Sequence, residues 1–263
     1  MNFPFFHIDA FTSKIFAGNP AGVCFLETWL PDTALQSMAA EHCLSETAFL
    51  VPSPTGNSNH YDLRWFSPVM EIDICGHATL ASAHAVFRYI DPEAEQIDFE
   101  TKSGNLAVVR RDDLLIMNFP ARPAAPCDPP AGLAEILGLQ PEQTLCSRDL
   151  MAVFENEEQI RRLKPDFSRL AAIDYFAVIV TAPGTESDFV SRFFAPKAGI
   201  AEDPVTGSAH CTLVPYWSDR LGKKELYARQ LSERGGELFC AGMDERVAIG
   251  GKAVTYLSGT IAI

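Results

Sequence analysis

Four polar side chains stand where groups for proton transfer are expected. Glu46 interrupts an otherwise apolar run, residues 44–50. His77 stands at one predicted helix start, and Asp203 and Ser208 flank another. A carboxylate that faces a cleft is poorly hydrated, and this makes it a usable general acid or base. The alternatives are structural: a solvated glutamate, a hydrogen-bonding histidine, a capping aspartate and a serine that merely begins a helix.

Glycine-containing segments at three places predict backbone sites for anions. Gly76 and Gly207 each begin a predicted helix, and the free N–H groups and positive dipole end of a helix attract carboxylates. The segment 18–22 reads Gly-Asn-Pro-Ala-Gly and lies between two strand-like runs. An ordinary turn and a nest of N–H groups that holds an anion are both open there.

Short strand-like runs, several with alternating polar and apolar residues, are the elements that must position these groups. The clearest are residues 5–11, 22–26, 60–66, 106–109, 114–119, 175–181, 190–194 and 253–263. Helical periodicity is scarcer. It predicts a helix that is capped by Asp32 and runs through Ala39, a second over about residues 77–89 and a third over about 208–221.

The two halves of the chain resemble each other around their predicted central helices. Residues 64–69 read Arg-Trp-Phe-Ser-Pro-Val, and residues 192–197 read Arg-Phe-Phe-Ala-Pro-Lys. Each segment is followed by a short loop and by a glycine that begins a helix. The recurrence of this whole series about half a chain apart predicts an internal duplication.

A Pro-rich stretch near the middle of the chain, residues 120–130, suits a connector between two lobes. We therefore expect an N-terminal lobe of residues 1–120 and a C-terminal lobe of residues 121–263. The final strand-like run, 253–263, is expected to cross back and complete a sheet of the first lobe.

Composition and charge argue against several classes of protein. The chain has 263 residues, 47% of them hydrophobic, and a formal net charge of −13, so nucleic acids and anionic membranes would repel it. Seven widely spaced cysteines without a C-x-x-C pair argue against a disulfide framework or a structural zinc site. The start lacks a signal-peptide pattern and no apolar run is long enough to span a membrane, which predicts a cytoplasmic protein.

Linked segments, in order from about residue 5 to the C-terminus, resemble the signature segments of the phenazine-biosynthesis-like (PhzF-like) isomerases. They are His-Ile-Asp-Ala-Phe-Thr (7–12), Gly-Asn-Pro-Ala-Gly (18–22), Leu-Ser-Glu-Thr-Ala-Phe (44–49), Phe-Ser-Pro (66–68), Cys-Gly-His-Ala-Thr (75–79), Glu-Asp-Pro-Val-Thr-Gly-Ser-Ala (202–209), Arg-Gln-Leu-Ser-Glu-Arg-Gly-Gly (229–236) and Tyr-Leu-Ser-Gly-Thr (256–260). The resemblance implies an α+β protein of the diaminopimelate-epimerase-like fold. In that fold two pseudosymmetric lobes, each a mostly antiparallel barrel-like sheet around a central helix, have the active site between them.

The resemblance also implies a reaction, a cofactor-independent isomerisation that moves a proton in a small carboxylate-bearing metabolite. The family's acid/base glutamate and its other catalytic residues correspond here to Glu46, His77, Asp203 and Ser208. We expect the substrate to be bound by Asn19, Cys75, Gly76, Thr206 and Gly207. The predicted ligand is a small anionic metabolite. No metal, organic cofactor, nucleic acid or membrane is expected, and both a monomer and a homodimer are open.

Two alternatives remain open alongside the isomerase. Related epimerases and racemases use two cysteines, one per lobe. Cys75 stands at the first such place, but the second lobe has Asp203 there and Cys211 only later in the helix. A cysteine-dependent amino-acid racemase or epimerase is therefore the second hypothesis, and a packed bystander thiol is the simpler interpretation of Cys75. The third is a non-catalytic ligand-binding protein of the same fold, and family membership leaves the physiological substrate undetermined.

Overall fold

The polypeptide divides into two compact units. The computed structural model of the protein describes residues 1–53 and 59–263. The first unit comprises Met1–Asn118 together with Gly250–Ile263, and the second comprises Phe119–Ile249. The closing run of the chain thus belongs to the first unit. None of the helices in the described residues is long and apolar enough to cross a membrane.

Strands make up most of the regular structure, and a few helices are inserted between them. From the N-terminus to residue 120 these are β1 (Asn2–Ala10), β2 (Asn19–Phe25), α1 (Asp32–His42), β3 (Glu46–Pro52), β4 (His60–Phe66), β5 (Glu71–Ile72), α2 (Gly76–Ala85), β6 (Gln96–Thr101), β7 (Gly104–Arg111) and β8 (Leu114–Pro120). The remaining elements are β9 (Ala125–Pro126), α3 (Leu133–Leu137), β10 (Gln143–Cys146), β11 (Leu150–Val153), α4 (Glu157–Arg162), α5 (Phe167–Leu170), β12 (Val178–Pro183), β13 (Phe189–Ala195), β14 (Ile200–Asp203), α6 (Gly207–Leu221), β15 (Glu225–Gln230), β16 (Gly236–Met243), β17 (Arg246–Gly251) and β18 (Ala253–Ala262).

The first unit is a mainly antiparallel sheet that packs on a buried helix. β1 pairs antiparallel with β18 and β2, β2 pairs parallel with β3, and β3 pairs antiparallel with β4. β4 continues antiparallel to β5 and parallel to β6, which leads antiparallel to β7. The helix α2 packs against β1, β2, β3 and β18. Most of its residues are small, and nearly all are buried, so it forms the centre of the unit rather than an amphipathic surface helix.

The second unit repeats this order of pairings. β10 is antiparallel to β11, β11 parallel to β12, and β12 antiparallel to β13. β13 is antiparallel to β14 and parallel to β15, and β15 is antiparallel to β16. The helix α6 packs on β15 and β16, and its fully buried Trp217 stacks on Phe189 of β13. The predicted α+β fold with an internal repeat is therefore confirmed.

An arginine–glutamate pair recurs at the same place in both units. In the first unit, Arg64 Nε and Nη2 donate to the two carboxylate oxygens of Glu71 at 2.7 and 2.9 Å. In the second, Arg192 donates in the same way to Glu202 at 2.7 and 2.8 Å. Each bidentate pair joins the long central strand (β4 or β13) to the short strand that precedes the buried helix. The two matched arginines of the sequence therefore make the same contact in the two units.

Two local sequence predictions are wrong, and the turn that was left open for one segment is not formed. Asp32 does not cap α1, because Pro31 occupies the N-cap position and Asp32 is the first helical residue, with Oδ1 2.9 Å from Arg64 Nη1. The segment 18–22 is not a turn, because β2 already begins at Asn19 and pairs with strands on both sides. The strand predicted to begin at residue 175 begins at Val178.

Candidate active site

Three of the predicted site residues lie together in the first unit. Glu46 Oε2 is 3.2 Å from His77 Nε2, and the other ring nitrogen, Nδ1, is 3.5 Å from Cys75 Sγ. The Glu46–His77 contact has the distance of an ion pair, although the ring nitrogen is not aligned for a hydrogen bond. All three side chains are buried. The imidazole therefore lies between a carboxylate and a thiol, away from bulk water.

The local elements explain why these residues meet. Glu46 is the first residue of β3, and the parallel pairing of β3 with β2 sets it opposite Ala21. Cys75 occupies the N-cap of α2 with extended backbone, and His77 lies in the first helical turn. Because α2 packs on β2 and β3, its first turn can meet the start of β3. Thr79 supports the junction, since its Oγ1 donates to the Cys75 carbonyl oxygen at 2.6 Å.

The charges within this cluster follow from burial and from the neighbouring groups. Burial raises the pKa of the Cys75 thiol, although His77 opposes the shift. Burial alone would lower the pKa of His77, but the Cys75 sulfur and the Glu46 carboxylate together raise this pKa well above its ordinary value of 6.5. The arrangement therefore favours the protonated form of the His77 imidazole.

The same three side chains carry donor atoms that bind metal ions. They offer an oxygen, a sulfur and a nitrogen within 4.8 Å of one another, a set that zinc accepts. However, the thiol contacts Nδ1 of His77 whereas the carboxylate contacts Nε2. One ion binds through one nitrogen of an imidazole, so an ion held by all three ligands would have to break one of these contacts. A metal ion in this cluster would therefore displace at least one of the two contacts that the His77 ring makes.

The remaining loop-to-helix residues lie at the matching junction of the second unit. Asp203 ends β14, Thr206 is the N-cap of α6, and the helix begins at Gly207. Thr206 Oγ1 donates a hydrogen bond to Asp203 Oδ2. Thr206 and Gly207 are buried, whereas Asp203 and Ser208 are half-buried. The N-cap of α6 is therefore Thr206 and not Asp203, and the Asp203 carboxylate accepts a hydrogen bond from Thr206.

Asn19 lies inside the first unit rather than in a loop. It is fully buried at the start of β2, opposite Ala10 of β1. The preceding Gly18 has a φ of +65°, and a Cβ there would come within 2.2 Å of the Ala10 carbonyl oxygen, so only glycine leads the chain into this strand. The backbone of the residues after Asn19 takes part in the sheet. The contact of Asn19 with a substrate stays a prediction.

Gln230 is a residue that the sequence analysis did not assign. It is 1% exposed, and its side-chain amide bonds both Asp203 and Thr206. Gln230 lies in one of the segments that resemble the family, but the resemblance does not indicate which residues its side chain contacts. A buried glutamine cannot be told from an exposed one by type or spacing, so only the tertiary contacts reveal it.

The chain matches a known protein family along almost its whole length. The family model described as phenazine biosynthesis-like protein (PhzC-PhzF) matches residues 8–259. The chain belongs to the phenazine biosynthesis-like family. A family relative, an uncharacterized isomerase of Pseudomonas aeruginosa, is 48% identical over 264 residues, which cover 100% of both chains. The crystal structure of a PhzF family protein from Enterococcus faecalis is 43% identical, with a TM-score of 0.97 and coverage of 100% of both chains.

A more distant match bears on the fold alone. A predicted epimerase from Pseudomonas aeruginosa is 18% identical, with a TM-score of 0.74 over 99% of both chains. The predicted diaminopimelate-epimerase-like fold is confirmed, and so is the membership of the PhzF-like family. Since a close relative is named an isomerase, the prediction of an isomerase of this family is confirmed at that level.

Proposed function

We propose that this member of the phenazine biosynthesis-like family moves a proton within a small carboxylate-bearing metabolite, with Glu46 as the acid/base group and without a cofactor. One observation carries the proposal. The Glu46 carboxylate lies 3.2 Å from the imidazole of His77, and the two side chains are only 11% and 8% exposed. A buried carboxylate next to a titratable histidine is typical of acid/base sites.

The proposed chemistry is a proton shift that needs no oxidant or reductant. Glu46 takes a proton from a carbon next to a C=C bond of the substrate. The electron pair of that C–H bond forms a new C=C bond to the adjacent carbon, and the electron pair of the old C=C bond becomes available at its far carbon. Glu46 then delivers a proton to that far carbon, either the original one or one that the carboxyl group has exchanged with solvent, so the atoms and electrons of the substrate are unchanged in number. A single base that serves two positions delivers the proton on one face of the substrate.

The start of α2 supports the binding of an anionic substrate. The helix begins at Gly76, next to His77, and its N-cap residue Cys75 makes no side-chain capping hydrogen bond. The first-turn N–H groups and the positive end of the helix dipole favour a carboxylate there. This attraction is local, so a chain with a net charge of −13 can still bind an anion.

For the residues of the second unit the predicted roles are part of the proposal. Asp203 and Ser208 are proposed to take part in catalysis, and Gly207 to offer a helix-start N–H group. Thr206 fits a direct role in substrate binding less well, since its N–H group and its hydroxyl are both bonded within the protein.

A cysteine-dependent racemase or epimerase is the second candidate, favoured by the contact of Cys75 with His77. Two observations weigh against it. Burial raises the pKa of the Cys75 thiol, and burial likewise raises the pKa of Cys211 to about 11. The thiolate is the form that removes a proton, and both thiols are held in the neutral form.

Solvent deuterium incorporation tests the proposal. A panel of small carboxylic acids with C–H bonds next to a carboxyl or alkene group is incubated with the protein in ²H₂O and read by mass spectrometry. We expect at least one acid to gain deuterium, and Glu46→Gln to slow that exchange by roughly a hundredfold or more while binding of the acid survives.

The matched control is Glu41→Gln, an exposed glutamate of α1, which should exchange like the wild type. Exchange at the wild-type rate in Glu46→Gln would refute the assignment of the base. Tight binding of acids with no exchange in any of them would favour the non-catalytic binding protein.

A further inference from the structure

The side-chain amide of Gln230 is buried, and it forms its hydrogen bonds with the loop that carries Asp203. Gln230 is the last residue of β15, and it is 1% exposed. An amide without partners is costly to bury, so the contacts of this side chain are required by the structure. They all go to Asp203 and Thr206.

Three hydrogen bonds define how the amide is held. Its Oε1 accepts from the Thr206 N–H group at 2.9 Å, and its Nε2 donates to the Asp203 carbonyl oxygen at 2.8 Å and to Thr206 Oγ1 at 3.1 Å. The backbone N–H group can only donate, which determines which end of the amide is the oxygen. The two ends of the turn from Asp203 to Thr206 are thus tied to one side chain. Ser232 Oγ holds the middle by donating to the Pro204 carbonyl oxygen at 2.7 Å.

The Thr206 hydroxyl links the Gln230 amide to the Asp203 carboxylate. A hydroxyl has one hydrogen, and Thr206 Oγ1 already accepts from Gln230 Nε2. Its own hydrogen is therefore directed to Asp203 Oδ2. The result is a directional chain from Gln230 through Thr206 to the Asp203 carboxylate, in which each bond polarises the next.

The first unit is organised differently at the matching place. There the last residue of β6 is Thr101, and its Oγ1 donates to the Gly104 carbonyl oxygen at 2.6 Å, within its own hairpin turn. Both units need a junction between a short strand and a buried helix. A buried amide that served only to support this junction would be expected in both units. The amide is found at this place in the unit that carries Asp203.

We infer that Gln230 is a positioning residue for the isomerase reaction, because through Thr206 it holds the Asp203 carboxylate in a single orientation. The part of Asp203 in the reaction rests on the proposed function, whereas the hydrogen-bond chain does not. Thr206, predicted from the sequence to bind the substrate, instead orients Asp203.

The hydrogen-bond chain is tested by ¹³C NMR on protein labelled at the aspartate carboxyl carbons, with the Asp203 signal assigned from its loss in Asp203→Asn. We expect Gln230→Met and Thr206→Val to move this signal in the same direction. The double variant should move it no further, because both changes break one chain.

The matched control is Gln159→Met. Gln159 also bonds a backbone N–H group of the second unit, that of Glu155 at 3.0 Å, but in an exposed position. It should leave the Asp203 signal in place. If Gln230→Met does not fold, Gln230→Glu replaces it, because this variant keeps the oxygen for Thr206 and loses both donors. A wild-type Asp203 signal in a folded Gln230 variant overturns the inference.

Turnover supplies the second measurement, on the first acid that exchanges in the deuterium screen. We expect Gln230→Met to lower kcat by roughly ten- to a hundredfold with KM within about twofold, and Thr206→Ser to retain more activity than Thr206→Val. A lower Tm with unchanged kcat would mean a purely structural role and would overturn the inference. If no acid exchanges with the wild type, the proposed function fails, and the NMR measurement alone still decides on the chain.

Discussion

The charge of His77 depends on the two groups that contact it. Glu46 lies at Nε2 and Cys75 at Nδ1, and neither contact is exposed to solvent. Burial works against an imidazolium, while an adjacent carboxylate works for it. Because the carboxylate contributes to the raised pKa of His77, replacing it tests whether the pair is held as the structure shows.

In Glu46→Gln we expect the pKa of His77 to fall, because the variant keeps the side-chain shape and removes the charge. NMR titration of the ring protons measures it. The control is His210, whose pKa is lowered by burial to about 4 and which lies in the other unit. An unchanged His77 midpoint in the variant would contradict the ion-pair contact.

The same shift predicts how stability depends on pH. The pKa of His77 is higher in the folded protein than its ordinary value of 6.5, so the folded state binds the extra proton. The stabilisation is fully present below about pH 6.5 and is lost as the pH rises through the folded pKa. The unfolding free energy of the wild type, compared with His77→Gln, should therefore decrease as the pH rises above about 6.5.

Cys75 and Asp203 give opposite results under the two enzymatic hypotheses. We expect Cys75→Ser to change deuterium exchange by less than about threefold, since a buried neutral thiol is replaced by a small hydroxyl. We expect Asp203→Asn to lower exchange by roughly a hundredfold, since it removes a charge that the proposed reaction uses. The reverse ranking, with loss of activity on alkylation of the wild type, would support the two-thiol racemase and leave the fold unaffected.

At the scale of elements, the repeated arginine–glutamate pair adds a side-chain link between the central strand and the short strand that pairs with it in each unit. Both partners are largely buried: the side chains of Arg64 and Glu71 are 17% and 19% exposed, and those of Arg192 and Glu202 are 12% and 21% exposed. Each arginine also lies over the ring of a phenylalanine two residues later, about 5 Å from its centroid. Each arginine is therefore both hydrogen-bonded to a carboxylate and packed against an aromatic ring.

Glu71→Gln should lower the free energy of unfolding by about 2 kcal/mol at pH 7, because it removes the largely buried charged partner of Arg64 and leaves only the exposed carboxylate of Asp32. Urea denaturation measures this, and Glu202→Gln should have a similar effect in the second unit. The control is Glu158→Gln, which breaks an exposed pair with Arg162 and should change stability by less than about 0.5 kcal/mol.

The pH dependence of this effect has a definite sign. Hydrogen bonds from Arg64, together with Lys102, lower the pKa of Glu71 from 4.5 to about 2. The stabilisation is therefore fully present above about pH 4.5 and is lost as the pH falls toward 2. A difference between wild type and Glu71→Gln that persisted unchanged down to pH 2 would contradict the assigned pair.

At the scale of the whole molecule, it can be measured directly whether the proposed reaction requires a metal ion. The structure offers one oxygen, one sulfur and one nitrogen close together, but two different ring nitrogens are engaged. An ion in this cluster would take Glu46 away from its proposed substrate. Metal ions are therefore expected to inhibit rather than to assist.

We expect deuterium exchange to be unaffected by exhaustive dialysis against EDTA, and to decrease when Zn²⁺ is added. The inhibition should be weaker in Cys75→Ser, which lacks the sulfur ligand that zinc prefers. Loss of exchange on chelation, with recovery on addition of a metal, would show that the cofactor-free mechanism is wrong.

The sequence by itself determined the three longest helices, several of the strands and the repetition of the two halves. The period of two along residues 60–66 marked β4 with the bounds that the structure has, and the matched Arg64 and Arg192 marked the duplication. These patterns are local, because a strand and a helix start depend on neighbouring residues. The family resemblance added the candidate site, including Glu46 and His77, although not their contact.

The tertiary structure decided which distant side chains meet. Glu71 and Glu202 hold equivalent arginines but lie 7 and 10 residues after them, so no constant spacing revealed the pairs. Gln230 lies 27 residues after Asp203, whose carbonyl it bonds. Such contacts are set by the parallel pairing of β13 with β15 and by burial, which depend on the whole packed unit. A single chain sequence encodes them only through that packing, and this is why the orientation of Asp203 could not be derived from residue types and spacing.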